Sequence, residues 1–165
     1  MGKRVFLSIL IVSFGTLLIG CNGSTTVETP DGNTATVTPG ADGDSVTVTG
    51  PNGEQSKIAA DDAGMELPKD FPKDIPIPPG TKVITTTKMG PVDSVTLQTK
   101  APVADVISFY NQAVVAKGWD VVASFNKPTG SMIGTTKGNR SLNITVFRTD
   151  DVTTISLNVS VAPKL

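Results

Sequence analysis

Chemistry in this chain starts from a shortage of reagents. Its 165 residues include one cysteine, Cys21, and no histidine. A Ser-His-Asp or Cys-His nucleophile, an intrachain disulfide and a zinc cluster of Cys and His are all excluded. Residues 65–165 contain Asp70, Asp74, Asp93, Asp105, Asp120, Asp150 and Asp151, with Glu66 the only glutamate. None of these belongs to a motif that sets two carboxylates across a cleft, as a paired-carboxylate hydrolase needs. Asp150-Asp151 reads most simply as a turn. Ser/Lys chemistry needs no histidine, but the sequence reading assigns it no pair. G-S-M-I-G is not the nucleophile elbow, and G-T-T-K-G-N-R at 134–140 lacks phosphate-loop spacing. D-G-N and A-D-G-D lack the full spacing of a calcium loop. No catalytic residue, cofactor or metal is expected. A net charge of -1 gives no case for nucleic acid. The bases Lys127, Lys137, Arg140 and Arg148 fall around the later strands. They are the candidate partner surface, weighed against a plain solvated rim.

The one thiol has a definite setting. Lys3 and Arg4 precede an uncharged run from Val5 to Gly20, sixteen residues long. That is short for a bilayer span and suits a secretory core. The run ends Leu18-Ile19-Gly20-Cys21, which resembles the lipobox of bacterial lipoproteins at all four positions. The resemblance implies that Cys21 is joined to a diacylglycerol. It also implies that residues 1–20 are a signal peptide removed before Cys21, and that the new amino terminus is acylated, as with palmitate. Two or three acyl chains hold a protein on a membrane far more firmly than one. Asn22 stands where an Asp would retain a lipoprotein at the inner membrane. The expected location is the cell envelope, at the outer membrane if the cell has two.

Downstream of Cys21 the composition breaks near Gly64. Residues 22–64 carry seven acidic residues against Lys57 alone, and no aromatics. Residues 65–165 carry eleven bases, eight acids and six aromatics. The first part is a blurred Thr/Val repeat punctuated by Gly32, Gly43 and Gly53, with turn-forming Asp-Gly and Asn-Gly pairs. Residues 21–64 read either as a flexible acidic tether or as a short β meander, with short runs at 34–38, 45–49 and 55–58. The core available to such strands is thin, only Val27, Val37, Val46, Val48 and Ile58. Residues 65–80 hold five prolines, which rule out a helix or a central strand. Leu67, Phe71, Ile75 and Ile77 suit a lead-in segment pinned along a domain.

Residues 81–165 are expected to fold as the domain proper. Runs at 81–88 and 92–99 read as strands, and 101–117 as an amphipathic helix. Thr99 is the candidate N-cap, and Val103, Val106, Ile107, Tyr110, Ala113 and Val114 form its apolar stripe. Runs at 120–126, 131–137, 141–149 and 152–160 follow. The fold class expected is α+β: an antiparallel sheet of about five to six strands with one helix on one face, in the order β-β-α-β-β-β-β. The stretch L-P-K-D-F-P-K-D-I-P-I-P-P-G, then V-T-L-Q-T, then F-Y-N-Q-A-V-V-A-K-G-W resembles a recurring domain of uncharacterised bacterial envelope proteins. That resemblance implies a helix-on-sheet module without a known reaction. More weakly, the arrangement is similar to small domains of lipoproteins accessory to outer-membrane assembly machines.

The leading functional expectation is a non-enzymatic, membrane-anchored lipoprotein that binds or organises a protein, glycan or lipid. An exposed apolar patch or open sheet edge would favour it. One alternative is a small-molecule or lipid carrier, whose cavity the core looks too small to spare. The other is a hydrolase using carboxylates or Ser/Lys.

Overall fold

The structure, a computed structural model, describes residues 18–19, 23–28, 34–40, 43, 45–127 and 130–162. Cys21 and most of the segment before it lie outside them. Eleven strands and one helix follow in chain order: β1 (Leu18–Ile19), β2 (Thr25–Glu28), β3 (Thr34–Pro39), β4 (Ser45–Thr49), β5 (Gln55–Ala59), β6 (Lys82–Met89), β7 (Val92–Thr99), α1 (Val103–Ala116), β8 (Asp120–Lys127), β9 (Gly130–Lys137), β10 (Arg140–Thr149) and β11 (Val152–Val161).

The strands form a single antiparallel sheet, ordered β1-β2-β3-β4-β5-β6-β7-β11-β10-β9-β8. This overturns the expected α+β domain with a five- to six-stranded sheet. The individual strands fall close to their expected positions. The pairing of β5 with β6, setting Ser56 opposite Thr87 and Ile58 opposite Thr85, carries the sheet across residue 64 and nearly doubles it. The Thr/Val region is thus a β meander continuous with the rest, and the molecule is mostly sheet. Alternation identifies a strand but says nothing about which edge it will join.

The sheet has an inner face, covered by α1 and by residues 65–80, and an outer face. Inward from β7, β9, β10 and β11 point Val95, Leu97, Ile133, Leu142, Ile144, Val146, Ile155 and Leu157, all buried. Against them α1 sets Val103, Val106, Ile107, Tyr110 and Val114, the expected stripe apart from half-buried Ala113. The helix starts later than expected. Pro102 is its N-cap and makes no side-chain cap. Proline is tolerated there because its missing N–H is one the first turn leaves unpaired. Thr99 instead accepts the Ala101 N–H through Oγ1 at 3.2 Å. The helix ends at Gly118, whose φ of +76° lets Trp119 turn back and donate its N–H to the Val114 carbonyl at 3.0 Å.

The lead-in segment is part of the core. Phe71 and Ile75 are buried, with Leu67 and Ile77 packed beside them. Gly64 is the joint before it. Its φ is +84°, and an added Cβ would stand 3.0 Å from both the Val83 carbonyl oxygen and Lys82 Cβ. Only glycine fits both the conformation and the approach. Immediately after it, Met65 donates its N–H to the Val83 carbonyl at 2.9 Å.

Candidate functional site: a groove between the helix and the sheet edge

The N-terminal half of α1 crosses above β8 and β9 without closing on them. Between them lies a surface-open groove of about 400 Å³, lined by Val103, Ile107, Ser108 and Asn111 of the helix and Asn126, Lys127 and Ser131 of the strands. Its volume falls within the usual range of ligand sites, as does its mixture of apolar wall and few polar groups. Val103 and Ile107 sit at the border of the helical stripe, so each serves the core and the groove wall. Asn126 and Ser131 are directly paired across β8 and β9 and face the helix. The inward positions of β10 from Leu142 to Val146 and of β11 from Ile155 to Val159 are aliphatic; here the sequence places an amide and a hydroxyl. That break in the pattern was the available signal, and sequence reading missed it. The space expected to be missing from the core exists at its margin.

Two other hollows are less suited to an apolar ligand. One of about 520 Å³ lies among Asp62, Lys82, Lys100 and Val152, with Val152 its one apolar side chain. A smaller one beside Phe71 is crossed by the Lys88–Asp70 ion pair at 2.6 Å.

The four candidate bases separate into different roles. Lys137 and Arg140 face each other across the β9–β10 hairpin and both bind Asp74. Arg140 donates through Nη1 at 3.0 Å to Oδ1 and through Nη2 to Oδ2. Lys137 donates to Oδ2 at 2.9 Å and to the Lys117 carbonyl at 2.7 Å. Trp119 is buried between these groups and donates Nε1–H to the Asp74 carbonyl at 3.1 Å. The Arg140 guanidinium carbon lies 4.8 Å from the Trp119 ring centroid. The arrangement clamps the lead-in segment to the helix end. Arg140 first, then Lys137, holds the Asp74 carboxyl at about 2 despite the opposing effect of burial.

Arg148 lies at the other end of β10. Its Nη1 donates to Thr153 Oγ1 at 3.0 Å and to the Ala101 carbonyl at 3.3 Å. Thr153, fully buried, donates its hydroxyl to the same carbonyl at 2.6 Å. This pair fixes the turn into α1. Lys127 alone is left at the groove. It has no carboxylate within ion-pair distance among the described residues, and its Nζ lies 5.1 Å from the Phe125 ring centroid. The structure therefore does not bring the four bases onto one surface. Seven residue steps along β9 separate Gly130, opposite Lys127, from Lys137, a span of roughly 23 Å.

Two carboxylates, Asp70 and Asp93, approach each other at the hollow beside Phe71, where Lys88 Nζ stands between them at 2.6 and 3.9 Å and pairs with both. Among the described residues no three metal-ligating side chains gather. Ser124 and Lys127 do have Ser-x-x-Lys spacing, which sequence reading overlooked. On a strand, residues three apart point to opposite faces, so the spacing forms no dyad. Asp150 takes φ +53° in the β10–β11 turn, the role expected of that pair.

The outer face is not uniform. Its middle is polar, with Ser94, Thr96, Asn143 and Asn158. At the β8 end Val122, Phe125, Met132 and Phe147 are exposed. Among the described residues no helix is long and apolar enough to cross a membrane.

Residues 81–152, from the start of β6 to the start of β11, match a family described as START domain-like. That stretch contains the helix and both strands of the groove. Neither the curated proteins nor the solved structures gave a match to this chain.

Proposed function

We propose that this chain is a ligand-binding module of the cell envelope, with no catalytic function of its own, and that the groove between α1 and the β8–β9 edge holds the ligand. The carrying observation is the coincidence of the START-like match with the groove's elements. Domains of that description typically bind ligands and do not catalyse. The groove chemistry suits a small amphiphile. An apolar chain would lie along Val103 and Ile107, and a polar head would meet Asn111, Asn126 and Ser131. This reading moves weight from a purely organising module toward the carrier alternative.

The same proposal includes lipidation at Cys21 and a place on the envelope membrane, outer where there are two. Processing before Cys21 would remove Leu18 and Ile19 and leave β2 as the sheet's first strand. The lipid would then sit four residues before Thr25. Nine strand spacings separate β2 from β8, so the groove would stand roughly 40 Å along the sheet from the anchored edge. In this arrangement the meander is a stand-off. It favours a ligand exchanged with a soluble or opposing partner over one taken from the anchoring bilayer.

The test is native mass spectrometry of the full chain purified from its own membranes in mild detergent. The expected result is a covalent diacyl mass, absent from Cys21→Ala, plus a non-covalent amphiphile that is lost in Asn111→Trp, where the indole fills the groove. An unmodified Cys21 would overturn the anchor. A wild type with no bound mass, or Asn111→Trp with the same bound mass, would overturn the groove.

A further inference from the structure

We propose that β8 is a self-complementary edge to which a second copy of this chain adds its own β8 in antiparallel register. β8 ends the strand order and is paired on one side only. All eight of its residues are exposed. An unpaired edge of that length is a template for another strand.

The occupant is read from the charges and from the bulge. Asp120 begins the strand and Lys127 ends it. Neither has an ion-pair partner among the described residues. In an unbroken strand two residues seven apart would point to opposite faces. The register shift between Val121 and Ala123 cancels that mismatch. Lys127 stands opposite Gly130, Phe125 opposite Met132 and Asp120 opposite Thr136. Met132 and Thr136 alternate with inward Ile133 and Thr135, so Asp120, Phe125 and Lys127 share the outer face. Val122 joins them, because its Cγ2 lies 3.8 Å from where a Cβ on Gly134 would stand.

A two-fold axis normal to the sheet through Ser124, with the bulge making Val122 and Ala123 one position, then sets Asp120 against the partner's Lys127, and Val122 against the partner's Phe125. Each contact is made twice. The two unpaired charges find their complements together, and the exposed row of Val122, Phe125, Met132 and Phe147 becomes continuous across the junction. A self-complementary patch is what a two-fold dimer requires. Terminal charges and a bulge are also the devices that shield an edge from pairing, and charge exchange separates the two roles.

The experiment is sedimentation velocity on the full chain in non-ionic detergent at low salt, up to about 1 mM, because so small a contact lies at the weak end of specific interfaces. Wild type is expected to dimerise with concentration. Asp120→Lys places two lysines on the edge and Lys127→Asp two aspartates. Each alone is expected to weaken the dimer at least about tenfold through like-charge contacts. An equimolar mixture of the two is expected to restore it as a heterodimer. Both sites are exposed, and circular dichroism checks that each variant is folded. A wild type monomeric across the range would overturn the proposal. So would single variants that dimerise like wild type, or a mixture that behaves as the sum of its parts.

Discussion

The two ends of the sheet are made in the same way and held in different ways. From β6 onward one face is covered. Leu97, Leu142, Ile144, Val146, Ile155 and Leu157 have no solvent exposure, because α1 and the lead-in segment lie over them. In β2–β5 the alternation is as regular, but the cover is confined to one corner, where Ser45 is buried and Ala59 packs against the core. Val27 and Ile58 are 43% and 42% exposed. The apolar side chains of this ribbon point to the outer face, opposite the helix, since Val46 pairs with Ile58 and Ile58 with outward Thr85. Strand-forming pattern alone makes a strand; burial of one face makes it stable. The ribbon borrows its stability from the edge of β6.

The largest expected effect contrasts a residue from each end. Leu157→Ala removes a fully buried side chain from the centre of the sheet and is expected to cost about 3 kcal/mol, from lost transfer energy plus a cavity. Val48→Ala in the ribbon is expected to cost less than about 1 kcal/mol, because its site is already partly wet. Urea unfolding of the two variants measures the difference. Equal losses would break the comparison and make the ribbon part of the same cooperative core.

The joint should come next. Gly64→Ala meets both a left-handed backbone and a Cβ contact of 3.0 Å with the Val83 carbonyl oxygen, so about 2 kcal/mol is expected. Thermal unfolding would show it. A loss below about 0.5 kcal/mol would mean that the chain can leave β6 at this point without disturbing Met65.

The clamp at Asp74 sharpens the same contrast through pH. Its folded carboxyl sits at about 2, below the ordinary 3.8, so its stabilisation is complete above the unfolded value and is lost as pH falls through the folded one. With the side chain 28% exposed, screening limits the contribution to about 1–2 kcal/mol. Stability of the wild type is therefore expected to fall between about pH 4 and pH 2, with the Asp74→Asn variant lacking this component of the slope. If Asp74→Asn retained the full acid slope, the carboxylate would not be what ties the lead-in segment to Trp119.

What the sequence made legible follows this division. Local signals were reliable: the stripe Val103, Val106, Ile107, Tyr110 and Val114, the end of the helix near residue 117, the burial of Phe71 and Ile75, and the turn at Asp150. Long-range choices were not. Nothing in Q-S-K-I-A announces that it pairs with β6 and turns two expected regions into one sheet. Lys137 and Arg140 read as free bases because Asp74 lies more than sixty residues away in the chain. The groove was hidden for a related reason: Asn126 and Ser131 matter only once α1 is known to cross above them.

The smallest effect is also the most exacting test of whether the ribbon is a dependent part of the sheet. Ile58→Thr changes one outward, partly wet side chain at the β5–β6 junction, keeps the β-branched shape that a strand accepts, and leaves the backbone pairing with Thr85 available. Global unfolding is expected to shift by no more than about 0.5 kcal/mol. Hydrogen exchange should detect what unfolding does not. Amides of β3–β5 are expected to open faster, while those of β7, β10 and β11 keep the protection of the global transition. Covered strands open only when helix and lead-in segment release together, whereas ribbon strands can peel from β6 in sequence. Uniformly faster exchange across both ends would show that the sheet opens as one body, and the ribbon would then be a load on the covered half as well as a beneficiary of it.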